Sequence, residues 1–234
     1  MKLSIIVPVF NEEKTILKLI KRLEKITIPS VSKEVLIVDD GSTDSTRDKL
    51  KKISKFKVIL HEKNQGKGAA VKTGIKYATG DYIIIQDADL EYDPEYMKIL
   101  IKPVMEKTAK VVYGTRLKRM PNLSREERTP QFLLHYFGNR FLSLVTSIFY
   151  GQWITDMETC YKLFPKSALD GVRLNAKGFE FEPEVTSKLM KRGYKIVEIP
   201  IRTKPRGYDE GKKLNTVRDG LKAFWSLIKY RFTN

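Results

Sequence analysis

The sequence predicts an α/β protein built on a doubly wound, mostly parallel sheet with helices on both faces. Strand-like runs at 3–9, 34–38, 57–60, 82–86 and 110–113 alternate with helical patterns at 12–26, 45–53, 68–78 and 94–107, which reads as successive βαβ units of a Rossmann-like sheet. The strand runs are continuous in Ile and Val, as expected when helices cover both faces.

The elements follow in order. Asp44 to Arg47 opens one helix with Asp and Ser as cap residues, and Asp93-Pro94-Glu95 opens another with Pro in its first turn. After Thr115 the order changes. Residues 116–131 are polar, rich in Arg and interrupted by Pro121 and Pro130, which predicts a mobile loop. A long helix at 131–150, a strand at 161–164, a helix at 181–191, a strand at 196–201 and a terminal helix at 215–230 complete the pattern. A chain of 234 residues with 41% hydrophobic content can bury a full core, and one domain over 1–234 is expected.

Composition narrows the setting. One cysteine, Cys160, excludes an intramolecular disulfide framework, and two histidines leave no Cys/His zinc cluster. The amino terminus starts on a strand pattern without a charged leader and apolar run, and no stretch reaches the roughly 20 apolar residues of a membrane span. The expectation is a cytoplasmic protein. Its net charge of +16 is uneven, with 12 Lys and Arg against 4 Asp and Glu from Lys191 to Asn234. Such an excess favours an anionic partner: nucleic acid, an anionic membrane surface or a phosphorylated substrate. No nucleic-acid recognition motif such as a helix-turn-helix accompanies it, so no nucleic acid is expected.

The run Tyr82-Ile83-Ile84-Ile85-Gln86-Asp87-Ala88-Asp89 delivers two carboxylates at the carboxyl end of a strand, where open α/β sheets bind ligands. On an extended backbone Asp87 and Asp89 would share one side and hold one hard cation. Glu91 is a third candidate ligand. With no soft donor beside them, carboxylates select Mg²⁺ or Mn²⁺, and such ions bridge to substrate phosphates.

Four segments stand in fixed order: Val7-Pro8-Val9-Phe10-Asn11-Glu12-Glu13, Val38-Asp39-Asp40-Gly41-Ser42-Thr43-Asp44, Asn64-Gln65-Gly66-Lys67-Gly68-Ala69-Ala70 and Asp87-Ala88-Asp89-Leu90-Glu91. Together they resemble the inverting family 2 glycosyltransferases with the GT-A fold. The second half resembles one branch, the dolichyl-phosphate mannose and glucose synthases, through Tyr113-Gly114-Thr115-Arg116, Thr155-Asp156-Met157-Glu158-Thr159-Cys160-Tyr161-Lys162 and a basic segment at 206–213. The resemblance implies a hexose passed from a GDP- or UDP-sugar to a polyprenyl phosphate. It divides the chain into a nucleotide-sugar and metal half (1–115), an acceptor half (116–214) and an amphipathic terminal helix (215–234).

Site roles follow from the resemblance. Pro8 and Val9 would offer backbone and apolar surface to a base, and Asn11 and Glu13 would bond base or ribose. Asp40 is assigned to the base and Asp39 to the loop, Asp87 and Ala88 also belong to the nucleotide site, and Lys67 faces the diphosphate from a helix start. The mannosyl branch often has Gln where this chain has Glu91. Arg116, Arg125, Arg128, Arg206, Lys212 and Lys213 are acceptor-phosphate candidates, because guanidinium forks match phosphate oxygens. Arg116 and Arg206 match the branch best. Asp156 is a catalytic candidate with Asp89: as a base for a hydroxyl acceptor, with Glu158 as its rival, or as an orienting residue. A phosphate acceptor is already ionised at neutral pH, its second pKa being about 6. The 131–150 helix, aromatic and apolar around Arg140, reads equally as membrane-facing or as a buried core helix, while the 221–232 segment, rich in aromatics and cations, reads as facing a membrane or a membrane partner, with a separate membrane subunit left open.

Overall fold

The computed structural model describes residues 1–118, 120, 129–204 and 216–233. Its first part runs β1 (Lys2–Val9), α1 (Ile16–Lys25), β2 (Ser32–Asp39), α2 (Thr46–Lys51), β3 (Lys57–Leu60), α3 (Lys67–Tyr77), β4 (Tyr82–Ile85), α4 (Met97–Met105) and β5 (Val111–Thr115). The rest adds α5 (Pro130–Tyr150), β6 (Lys162–Pro165), α6 (Phe181–Lys191), β7 (Ile196–Pro200) and α7 (Thr216–Phe232). Among the described residues seven strands form one sheet in the order β3-β2-β1-β4-β6-β5-β7. All point the same way except β6, which is antiparallel to both neighbours. This is the mostly parallel α/β sheet that the alternating pattern predicts.

The order creates the crevice. From β1 the chain winds outward to β2 and β3, then returns to the other side of β1 as β4. Residues at the carboxyl ends of β1 and β4 therefore flank the point where the winding reverses, the usual ligand position in such sheets. Both strands are buried on both faces: Leu3, Ile5, Ile6, Val7, Ile83, Ile84 and Ile85 have no exposed surface. Helix α1 shows the complementary pattern, burying Ile16, Leu19, Ile20 and Leu23 at spacings that form one face.

Boundaries differ from the sequence reading in two useful places. Helix α1 starts at Ile16 rather than near residue 12, because Asn11 adopts a left-handed φ of 50° and the next residues form a turn closed by Thr15 N–H on the Glu12 carbonyl at 3.1 Å. Strand β4 ends at Ile85, one residue early. The expected loop at 116–131 falls partly on residues outside those described, and its last two residues belong to α5, which Thr129 caps through the Phe132 N–H. Both aspartate caps form where predicted: Asp44 accepts the Thr46 N–H at 2.9 Å, and Asp93 accepts the Glu95 N–H at 3.1 Å, while Ser45 makes no capping bond of its own.

Helix α3 carries the Lys67 end of the site and is set by close approach to β1. A Cβ placed on Gly74 would stand 2.4 Å from Ile6 Cγ2, inside the sheet, so only glycine permits this depth. Gly74→Ala is therefore expected to lower the unfolding free energy by about 1–3 kcal/mol, the usual cost of overpacking a filled core. Urea titration checks this; an unchanged midpoint would mean that the seam yields freely.

Candidate active site

The turns after β1 and β2 lock onto each other. Asn11 donates its N–H to Ser42 Oγ at 2.9 Å, and its Oδ1 accepts the Thr43 N–H at 2.8 Å. Glu13 accepts the Ser45 hydroxyl at 2.5 Å, which holds its carboxyl below the usual range. Asn11 and Glu13 thus shape the loop around residues 42–45. Pro8 and Val9 do not offer the exposed platform expected of them: both are buried in the sheet, and the Val9 carbonyl accepts the Asp40 N–H at 2.7 Å. Their pairing with Val38 and Asp39 in β2 is the reason.

The two aspartates after β2 separate in role. Asp39 is fully buried and takes Arg47 Nε at 2.8 Å and the Ser42 N–H at 3.3 Å, a loop duty as anticipated. Asp40 accepts backbone N–H groups of Gln65 at 3.0 Å and Gly66 at 2.8 Å, while its Oδ1 lies 2.7 Å from His61 Nδ1. A carboxylate has about four acceptor positions, so these three partners leave Asp40 room for one further donor.

At the end of β4 the expected extended geometry is replaced by a turn. Gln86 is buried and its amide donates to the Asp87 carbonyl at 3.0 Å, while Leu90 takes a φ of 66°. Asp87 and Asp89 are therefore placed by a turn and not by strand alternation. Asp89 accepts the Glu91 N–H at 3.0 Å, and the Glu91 carbonyl accepts the Lys204 N–H at 3.0 Å. Ala88 between them is buried.

Lys67 stands at the first position of α3 with its ammonium 2.9 Å from Asp87 Oδ1 and 3.3 Å from Glu182 Oε1. Burial opposes the charge on both Lys67 and Asp87, but their mutual attraction prevails: Lys67 is raised well above its ordinary value and Asp87 is lowered. The diphosphate-facing lysine of the sequence reading is thus, in the protein alone, the counter-ion of a proposed metal ligand. The donor set suits a hard cation. His61 is engaged by Asp40 and by Thr73 at 2.9 Å, and the groups at the end of β4 are carboxylates; the Cys160 thiol does stand beside Asp87, contrary to the expectation of no soft donor there, but burial holds it protonated. Among the described residues no three His, Cys, Asp or Glu side chains gather into a metal cluster, so one or two carboxylates plus substrate oxygens and water would complete the shell, the habit of Mg²⁺.

On the acceptor side, Arg116 and Asp156 form a forked pair. Arg116 Nε and Nη2 donate to Asp156 Oδ2 and Oδ1, each at 2.8 Å, and the Arg116 backbone N–H also meets Oδ2 at 2.8 Å. Asp156 is fully buried; burial would raise its pKa, yet Arg116 outweighs this and holds it low. Such a carboxylate is a positioning group and a poor base. Glu158 is its opposite: Oε1 is buried with no hydrogen-bond partner, and burial pushes the acid up to about 7 despite Lys162.

The structure thus brings Lys67, Asp87 and Asp89 to the carboxyl end of the sheet and pairs Arg116 with Asp156. Arg125, Arg128, Arg206, Lys212 and Lys213 lie outside the described residues. Three residues with no role in the sequence reading join the cluster: His61, Glu182 and Lys162. Their signal was present as charges inside apolar runs, Lys162 before Leu163-Phe164 and Glu182 between Phe181 and Pro183. A shallow hollow of about 540 Å³ beside Tyr82, Lys110 and Tyr194 lies at the amino end of β4, away from these groups.

Asp156→Asn removes the anion from a largely but not fully buried guanidinium and should destabilise the protein by about 3 kcal/mol at neutral pH, the lower end for a broken buried pair. The sign with pH follows from its depressed pKa: the stabilisation is fully present above the unfolded-state value and is lost as pH falls through the lower folded value. Unfolding followed from pH 7 down to 2 should show the variant's deficit shrinking on the acid side; a constant deficit would remove the ion pair as its cause.

Comparison with known proteins accords with this geometry. Residues 4–173 match the model of glycosyl transferase family 2. The chain is 30% identical over 245 aligned positions to a UDP-N-acetylglucosamine–dolichyl-phosphate N-acetylglucosaminyltransferase of Methanococcus voltae, covering 96% of this chain and 94% of that one. It is 29% identical to a dolichol-phosphate mannosyltransferase of Pyrococcus furiosus, covering 98% of this chain and 64% of that one. In fold it is similar to glucosyl-3-phosphoglycerate synthase of Mycobacterium tuberculosis, solved with Mn²⁺, uridine diphosphate and phosphoglyceric acid: TM-score 0.74 at 19% identity, over all of this chain and 79% of that one. The chain belongs to glycosyl transferase family 2 and has the GT-A fold of that family.

Proposed function

We propose that this glycosyltransferase moves one hexose, with inversion, from a nucleoside diphosphate sugar to a polyprenyl phosphate at the cytoplasmic face of a membrane. The observation that carries the reading is the commitment of Asp156 to Arg116, which takes that carboxylate out of use as a base and sets a guanidinium on the acceptor side. A phosphate nucleophile needs none, being ionised at neutral pH. The two dolichyl-phosphate relatives support the same acceptor class.

The residues take these roles. Asp40 accepts a donor from the base through its remaining position, and Asn11 and Glu13 hold the loop that borders it. Asp87 and Asp89, one or both, would hold Mg²⁺ or Mn²⁺ together with substrate oxygens and water, and the ion would neutralise charge on the departing diphosphate; among the described residues Glu91 does not gather with them into a three-carboxylate cluster. Lys67 adds a cation on the same side. Arg116 stays anchored to Asp156 and presents Nη1 to the lipid phosphate, joined by Arg206 and the neighbouring basic residues. Hexose and nucleobase are left to experiment.

A second reading, a saccharide-extending transferase, draws on Glu158. A carboxyl held near 7 with an unsatisfied oxygen can take a proton from a hydroxyl acceptor.

One assay set separates the two. GDP- and UDP-sugars are tested against a polyprenyl phosphate and the neutral alcohol of equal chain length, with and without chelator. The first reading expects transfer to the phosphate alone, abolished by chelator, and lowered at least about a hundredfold in Asp89→Asn. Equal use of the alcohol, with a rate falling below pH 7 as Glu158 gains its proton, selects the second.

Membrane engagement rests on two exposed stripes. Among the described residues no helix is long and apolar enough to cross a membrane. Yet α5 exposes Leu134, Phe137, Phe141, Leu144 and Ile148 at alternating three- and four-residue spacing, each at least 42% exposed. Helix α7 buries Ala223, Leu227 and Tyr230 in the core but exposes Val217, Leu221, Trp225 and Phe232. The helices adjoin, with Phe141 and Phe224 rings stacked at 6.0 Å. The terminal helix thus serves core and surface together, and substitution tests it better than truncation. Its exposed charges, Arg218, Lys222, Lys229 and Arg231, are all cationic, which suits an anionic lipid surface. Replacing Leu221 and Trp225 by Gln should weaken binding to anionic liposomes at least about tenfold, since each buried apolar side chain contributes on the order of 1.5–3 kcal/mol, with nucleotide affinity unchanged. Equal partitioning of both proteins would refute this face.

A further inference from the structure

Glu182 lies on α6, a helix covered on all sides, where residues 181–190 are all buried. Its neighbour Glu184 is consumed locally: it accepts the Asn175 N–H at 2.8 Å and the Ala176 N–H at 2.7 Å and pairs with Lys188 at 2.6 Å. Glu182 instead reaches across the molecule. Its Oε1 is 3.3 Å from Lys67 Nζ and its Oε2 is 2.7 Å from Lys162 Nζ. These are ion pairs by distance whose angles fall short of aligned hydrogen bonds, so the contact is chiefly Coulombic.

Lys67 therefore has two anions, Asp87 and Glu182. A divalent cation arriving at Asp87 must compete with the ammonium already 2.9 Å from that carboxylate. If Asp87 were the lysine's sole carboxylate, the exchange would leave a largely buried ammonium uncompensated, which opposes the exchange. Glu182 lowers that obstacle, because it keeps a carboxylate 3.3 Å from the ammonium after the exchange. We propose that Glu182 is a positioning residue for the metal site: it retains the Lys67 ammonium as Asp87 passes from lysine to divalent cation. The inference rests on the assignment of Asp87 as a metal ligand. Lys162 shares Glu182 from the far side and holds its carboxylate in place; it is fully buried, bonded to the Thr159 carbonyl, and 5.0 Å from the Tyr113 ring.

The test measures Mn²⁺ binding directly, by loss of the free-ion paramagnetic resonance signal, in separate arms with UDP and with GDP. Glu182→Gln should weaken Mn²⁺ at least about tenfold, equivalent to 1.4 kcal/mol. In a Lys67→Gln background, where no ammonium needs a second home, the same substitution should change affinity less than about twofold, a coupling that a merely structural role would not produce. Glu182→Gln also strands Lys162, so the cycle is repeated with Lys162→Met, which removes that second buried charge and keeps the comparison available if the single variant fails to fold. Equal losses with and without Lys67, or no loss while the parent protein binds Mn²⁺, would overturn the inference alone. Absence of Mn²⁺ binding by the parent in both arms would overturn the metal assignment of the proposed function and this inference with it.

Discussion

Four ionised side chains of alternating sign run from the site into the interior, from the partly exposed Asp87 and Lys67 to the buried Glu182 and Lys162. They come from four elements: the turn after β4, the start of α3, α6 and β6. Removing such charges from water is costly, and the interior accepts them only because each touches a neighbour of opposite sign. The spacing of α3 against β1, the insertion of antiparallel β6 beside β4, and the enclosure of α6 all have to be right at once for that row to close. The row also joins what the sequence presents as two halves.

A second set of charges fixes the other edge. Glu198 on β7 accepts the Thr155 N–H at 2.8 Å and the Asp156 N–H at 2.9 Å, so the loop before β6 hangs from the sheet's edge strand. Asp156 then receives Arg116, which follows β5. Burial raises the Glu198 acid, and the two backbone donors oppose that rise. The order is hierarchical: strand position sets Glu198, Glu198 sets the loop, and the loop sets the arginine.

Much of this was legible in the sequence, for a physical reason in each case. Ile and Val runs flanked by amphipathic helices specify a covered parallel sheet, and Asp44 and Asp93 announce helix starts because their oxygens accept orphan N–H groups. The carboxyl-end aspartates and Arg116 stood out by type and place. What could not be read was which carboxylate each cation chooses. Lys67 beside two glycines looks like a phosphate ligand from sequence alone, and its ion pairs with Asp87 and Glu182 depend on residues 20 and 115 positions away. The turn after β4 was hidden too, since Gln86 continues a strand pattern and only its buried amide bonds bend the chain.

The distribution of these partners bears on mechanism. A carboxylate tied to a guanidinium or an ammonium is stabilised as an anion and gives up its value as a base, because accepting a proton means losing the pair. Asp87 and Asp156 are both tied so, and Asp39 pairs with Arg47. Glu158, near Arg116 and Lys162, is instead pushed toward neutrality by burial. A site arranged in this way handles best an acceptor that brings its own negative charge, since its cations can then attract the nucleophile and no proton has to leave in the rate-determining step. For an acceptor that brings a hydroxyl, the whole burden of proton removal falls on Glu158, and the same geometry makes that one residue the pivot between the two chemistries.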